Sequence, residues 1–148
     1  MVSIDSIIPY AQKFAQSPQS ENARSNLALR LQLIGSTEDL KVLAKRHFAD
    51  PHVSVMIWQR IIALNPESPP VLTEAGSVYY MNGYDEMAGE SVEKALGLDE
   101  TYIPAWELKA ALCREPGERR QIFDQILKIE PGNRNAVDNL IILGRPIN

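Results

Sequence analysis

Apolar residues recur along this chain mostly at three- and four-residue intervals, the period of an amphipathic helix rather than of a strand. Ile4, Ile7, Ile8, Ala11, Phe14 and Ala15 form the first such stripe. Pro9 interrupts it, and proline is tolerated only in a first helical turn, so the pattern predicts a helix starting near Ser6 with Ser6 as its N-cap. Ser17-Pro18 reads as the next N-cap followed by proline at the first helical position, opening a helix that runs to about Leu33 and stops at Gly35. Leu27, Leu29, Leu31 and Leu33 alternate as a strand would, but the intervening Ala28, Arg30 and Gln32 are strong helix formers and decide for a helix.

Thr37 followed by Glu38 and Asp39 marks another start, an N-cap with acids where they complement the helix dipole. Leu40, Leu43, Ala44 and His47 form the inward side of that helix. Asp50-Pro51 turns the chain, and Val53, Ile57, Trp58, Ile61, Ile62 and Leu64 make a second helix ending at Asn65-Pro66. Two helices with a short link form an antiparallel hairpin. The hairpin recurs: helices over 71–81 and 84–98 around Asn82-Gly83, then over 103–114 and 118–129 around Glu115-Pro116-Gly117. A short helix over 136–143 follows, before Gly144 and Pro146. Recurrence at this period predicts an all-α repeat architecture of about nine helices.

The spacing from Pro69 to Tyr102 resembles the tetratricopeptide repeat (TPR), a helix-turn-helix motif of 34 residues. Leu72, Ala75, Gly76, Tyr79, Ala88, Val92 and Ala95 fall at its signature positions without a gap, whereas Glu100 stands where the motif has proline. The unit from Ile103 places Trp106, Ala110, Phe123, Ile126 and Pro131 correctly only with three residues deleted near the turn, which predicts a shortened first helix. The unit from Thr37 places Leu40, Leu43, Ala44, Trp58 and Pro66 with two deleted, and its bulky Ile61 at a small position predicts looser or shifted packing. Val137, Leu140 and Ile141 resemble the helix that covers a last repeat. The resemblance implies stacked antiparallel helix pairs in a right-handed superhelix: an N-terminal cap or degenerate repeat over 1–36, an array over 37–143 (37–68, 69–102, 103–133 and a capping helix 134–143), and a tail over 144–148. A HEAT-like helical array is the alternative.

By the same resemblance the first helix of each pair lines a concave groove that binds another protein. The groove positions select Lys41, Lys45 and Phe48, then Thr73, Ser77, Tyr80 and Met81, then Glu107, Ala111 and Arg114. Lys41 and Lys45 suit an acidic group, and Phe48, Tyr80 and Met81 offer adaptable apolar contact. Tyr79 and Trp106 are expected in the core. Some family members grip the C-terminal carboxylate of Hsp70 or Hsp90 with a lysine, asparagine and arginine clamp. Lys41 fits its first lysine, but Lys45 and Glu74 replace the two asparagines, Pro104 the second lysine and Leu108 the arginine, so that use is not expected.

Charge sharpens this reading. Residues 1–68 hold seven Lys/Arg against six Asp/Glu, while 69–148 hold eight against thirteen, a balance that argues against nucleic acid. Asp85, Glu86, Glu90 and Glu93 form an acidic run on a second helix. It reads as a solvated face, as a patch for a basic partner, or, with Arg114, Arg119 and Arg120, as a self-complementary surface. The single cysteine, Cys113, is expected to be a small buried hydrophobe in a reducing cytoplasmic setting. No apolar run reaches the roughly 20 residues of a membrane span, and the start lacks a signal-peptide pattern.

His47 and His52 lack helical ligand spacing and a third partner, and no phosphate-binding glycine loop, nucleophile elbow or zinc-hydrolase motif occurs. No cofactor, metal or catalysis is therefore expected. The function that follows is a protein- or peptide-binding adaptor or assembly chaperone, with a self-associating scaffold as alternative through the apolar 141–143 end.

Overall fold

A computed structural model describes residues 2–144; the last four residues of the expected tail lie outside them. The described residues contain nine α-helices, one 3-10 turn and no strand. They cluster into two compact units, residues 2–66 and 67–144.

The first unit opens with the 3-10 turn Ile4–Ser6, followed by α1 (Ile8–Gln16), α2 (Glu21–Gln32), α3 (Thr37–Arg46) and α4 (Pro51–Leu64). The late start forced by Pro9 is observed, but Ser6 does not cap it: its hydroxyl donates to the Ser3 carbonyl at 2.6 Å, and Ile7 precedes α1 without a side-chain bond. Ser17 ends α1 instead of opening α2, whose cap is Ser20 accepting from the Ala23 amide at 3.2 Å. Likewise Ser36, not Thr37, caps α3 by accepting from the Asp39 amide. In each case the hydroxyl that reaches the amide three residues on is the cap.

Helical geometry also resolves the leucine alternation in α2, where Leu27 and Leu31 are buried while Leu29 and Leu33 are exposed. α4 packs on α1, α2 and α3. Ile7, Phe14, Leu27, Leu40, Leu43, Val53, Ile57 and Ile61 fill this core. Two polar ties hold helix ends that cannot satisfy their own groups: Arg60 donates to the carbonyls of Gln32 and Ile34, both at 3.1 Å, and Asn65 bridges the Thr37 hydroxyl and the Ile61 carbonyl, both at 2.8 Å.

The second unit comprises α5 (Pro69–Met81), α6 (Asp85–Leu98), α7 (Ile103–Leu112), α8 (Pro116–Ile129) and α9 (Arg134–Ile142). Each helix packs on the next, and α5 also packs on α7, so helix pairs stack with first helix beside first helix. The expected shortening appears, α7 having 10 residues against 13 in α5.

Two glycines in this unit have specific work. Gly83 ends the α5 turn at φ +82°, a conformation that costs little only for glycine. At Gly76 an added Cβ would lie 3.0 Å from Leu108 Cδ2 and 3.4 Å from the Ala88 carbonyl oxygen, so α6 and α7 both approach this point closely. Phe123, Ile126, Ala136 and Leu140 form a core shared by α8 and α9, with Trp106 and Cys113 packed against it.

Candidate partner-binding surface

In the first unit, α3 presents the three residues selected from its sequence. Lys41 is half-buried, Lys45 exposed, and Phe48, just beyond the helix end, 55% exposed with Val42 also exposed. The four-residue spacing of Lys41 and Lys45 keeps those two on one side of the helix. Arg46 meets Asp5 at 3.1 Å and ties the α3 end to the 3-10 turn.

In the second unit the burial pattern of α5 leaves Glu74, Tyr80 and Met81 exposed along one side, with Ser77 half-buried between them. Tyr80 is 41% and Met81 59% exposed, large apolar surfaces at the end of a helix whose other large residues are inside. Thr73 departs from the expectation. It is 6% exposed, and its hydroxyl is buried without a partner, so it belongs to packing and offers nothing to a ligand at the surface. The half-buried Ser77 directs its hydroxyl to the Thr73 carbonyl at 3.1 Å, satisfying its own helix.

α7 continues the surface with Glu107 and Ala111. The Glu107 carboxylate accepts from Asn135 Nδ2 of α9 at 3.2 Å. Asn135 escaped sequence reasoning because the two residues are 28 positions apart with no spacing rule joining them. Arg114 behaves differently from its expected role: it reaches Asp85, the first residue of α6, at 3.4 Å, and so is drawn toward a second helix.

Packing explains other charged residues as well. Arg119 donates to the Cys113 carbonyl and Arg120 to the Leu143 carbonyl at 2.6 Å, closing the ends of α7 and α9. Lys109 pairs with Glu93 at 2.7 Å and lies 5.3 Å from the Trp106 ring centroid. Trp106 is partly buried, its Nε1 donating to the Glu100 carbonyl at 2.8 Å. Tyr79 is 2% exposed, and burial pushes its hydroxyl pKa up to about 12. Cys113 is half-buried rather than fully inside, its Sγ 3.6 Å from a Glu118 carboxylate oxygen.

His47 is buried with Nδ1 3.4 Å from Asp50, while the His52 ring stands edge-on to Phe14 at 6.3 Å. Among the described residues no three His, Cys, Asp or Glu side chains are grouped to hold a metal ion, and no helix is long and apolar enough to cross a membrane. A shallow cleft of about 320 Å³ between α6, α7 and α8 is lined by Val92, Lys109, Leu112, Cys113, Glu118 and Ile122.

No family model matches this chain. No curated protein matches it by sequence. Solved structures do match by fold. The first TPR of Spaghetti (RPAP3) bound to the HSP90 peptide SRMEEVD superposes with a TM-score of 0.61 at 18% identity, over 73% of this chain and 92% of that one. The second TPR domain of human RPAP3, in complex with the HSP70 peptide SGPTIEEVD, gives 0.59 at 21% identity, over 72% and 93%. A MamA crystal structure gives 0.62 at 13% identity, over 95% and 82%. The fold is thus of the TPR type, an all-α stack of helix pairs.

Proposed function

We propose that this protein is a non-enzymatic interaction module, an adaptor or assembly chaperone that holds a segment of a partner protein on the exposed faces of its first helices. One observation carries the reading. α5 buries Val71, Leu72, Val78 and Tyr79 yet leaves Tyr80 and Met81 in solvent at its end, beside the α7 stripe. In the first unit Lys45 and Phe48 offer a charged and an apolar contact on α3. Peptide complexes of RPAP3 show what this type of fold does elsewhere.

The manner of binding differs here. Leu108, where the carboxylate clamp has arginine, is buried, and Pro104 lies in the first turn of α7. Glu74 adds a negative charge where the clamp has asparagine, so a C-terminal carboxylate finds no counterpart on this face. A single half-buried cysteine supports a reducing cytoplasmic setting.

Affinity capture from the native cell with mass spectrometry, repeated with Tyr80→Ala and Lys45→Glu, tests the reading. Each change is expected to lower recovery of a partner held by its own unit, and capture undiminished by either would remove these faces from consideration. A second reading, self-association, is favoured by the exposure of Val137, Ile141 and Ile142 on α9. Light scattering then shows a dimer that Ile141→Glu dissolves; a monomer at high concentration would end that alternative.

A further inference from the structure

We propose that Asn82 is a site of spontaneous backbone modification which the folded end of α5 holds in check, so that opening of this end converts it in one direction. Asn82 is the one asparagine in the chain followed by glycine. Asparagine is a chemically labile residue, and its weak point is the amide nitrogen of the next residue, which attacks the side-chain carbonyl carbon. A following glycine has no Cβ to hinder that approach.

The folded chain ties both reactants. Asn82 Nδ2 donates to the Val78 carbonyl at 2.9 Å, so the carboxamide reaches back along its own helix. The Gly83 amide donates to the Tyr80 carbonyl at 3.0 Å, and the Tyr84 amide to the Tyr79 carbonyl at 2.9 Å. Around a glycine at φ +82° these two bonds make a Schellman motif, in which each amide closes a carbonyl that the helix leaves open. Attack therefore requires the Asn82 and Gly83 bonds to break first. Nothing else bars it: Gly83 is exposed, no atom lies within 4 Å of where its Cβ would stand, and the preceding Tyr80 and Met81 are exposed. Exposed helix ends of this kind open locally at far less cost than the core.

Once the end opens, the Gly83 nitrogen gives its proton to solvent and bonds to Asn82 Cγ. The Cγ–Nδ2 bond breaks, and the nitrogen leaves as ammonia with a proton from water. Water then opens the cyclic imide at either carbonyl, leaving an aspartate or an isoaspartate at position 82, with no oxidant or reductant involved. Neither product rebuilds the end. A carboxylate has no hydrogen to donate to the Val78 carbonyl, and its charge sits at the negative end of the helix dipole. Isoaspartate also lengthens the main chain by a methylene, which breaks the spacing of the motif. The chemistry is independent of what Tyr80 and Met81 bind.

The test incubates the full chain at mildly alkaline pH, folded or in urea, and follows residue 82 by peptide mass mapping. Modification is expected to be at least about tenfold faster in urea. Met81→Gly removes no buried contact but lowers helix propensity in the last turn, and is expected to raise the folded-state rate about fivefold with the urea rate nearly unchanged. Asn82→Asp, which stands for one product, is expected to speed amide hydrogen exchange at Gly83 and Tyr84 about fivefold. Equal rates in the folded and unfolded chain, or earlier modification of another asparagine, would overturn the proposal. A folded-state rate indifferent to Met81→Gly would overturn control by the α5 end, and unchanged exchange in Asn82→Asp would overturn the one-way character of the step.

Discussion

The α3–α4 pair of the first unit and the α5–α6 pair of the second meet the same packing demand in opposite ways. In α5–α6 the backbones close on a glycine: Gly76 faces the Ala88 carbonyl and Ser91, with Leu108 of α7 pressing on the same point. In α3–α4 a branched side chain stands where the repeat pattern has a small one, and Ile61 is nonetheless wholly buried. The looser packing expected there leaves no exposure at Ile61. One pair is therefore sensitive to added volume and the other to lost volume, because interiors are packed to near-crystalline density.

The largest effect expected from this contrast is in α4. Ile61→Ala leaves a cavity and should destabilise the first unit by about 3 kcal/mol, read by urea unfolding through Trp58 in a Trp106→Phe background. A loss below about 1 kcal/mol would mean that the site collapses around the smaller side chain.

Overpacking comes next. Gly76→Leu should cost the second unit about 2 kcal/mol, followed through Trp106 in a Trp58→Phe background, whereas the same change at Gly97, where nothing lies within 4 Å, should be far milder. Equal responses at both glycines would break the argument from close approach.

Gly83→Ala should cost about 1 kcal/mol, because an alanine at φ +82° brings its Cβ against the carbonyl. Gly35→Ala, with open space around it and no positive φ, serves as the comparison in the first unit.

The smallest effect at neutral pH belongs to Tyr79→Phe. The hydroxyl is buried with no partner, so its removal should change stability by no more than about 1 kcal/mol, in the stabilising direction. Alkaline pH should separate the two proteins. The phenol has its ordinary pKa of 10.0 when unfolded and about 12 when folded, so its contribution is fully present below pH 10.0 and is lost as pH rises toward about 12. Urea midpoints that fall equally in both proteins over that interval would assign the alkaline loss to other groups.

Much of the fold was legible because helices leave local marks. Pro66, Gly83 and Pro131 punctuate the chain wherever hydrogen-bonding or φ restricts the backbone, and the helix ends are found beside them. Caps were less legible, since Ser17 and Ser20, or Ser36 and Thr37, compete for one role and only the local backbone path chooses between them.

The candidate surface was partly legible. Tyr80 and Met81 are exposed as the register implied, and Lys45 and Phe48 likewise. Thr73 is a helix-face residue that periodicity could not distinguish from Ser77, and packing buried it. Arg114 lies where its helix has already ended at Leu112, so its side chain follows the local turn to Asp85 and not the helix face.

By itself the sequence determined the helical repeat, the glycine at the α5–α6 crossing, the aromatic and thioether at the end of α5, and the surplus of carboxylates in the second unit. These follow from composition and from intervals of a few residues, which bonded geometry translates directly into structure. Tertiary structure alone decided which charges meet: Lys109 with Glu93, Arg114 with Asp85, Glu107 with Asn135 and Arg120 with the end of α9. Those partners are separated by 16 to 29 positions, and their encounter depends on how helices stack, for which no short-range spacing exists.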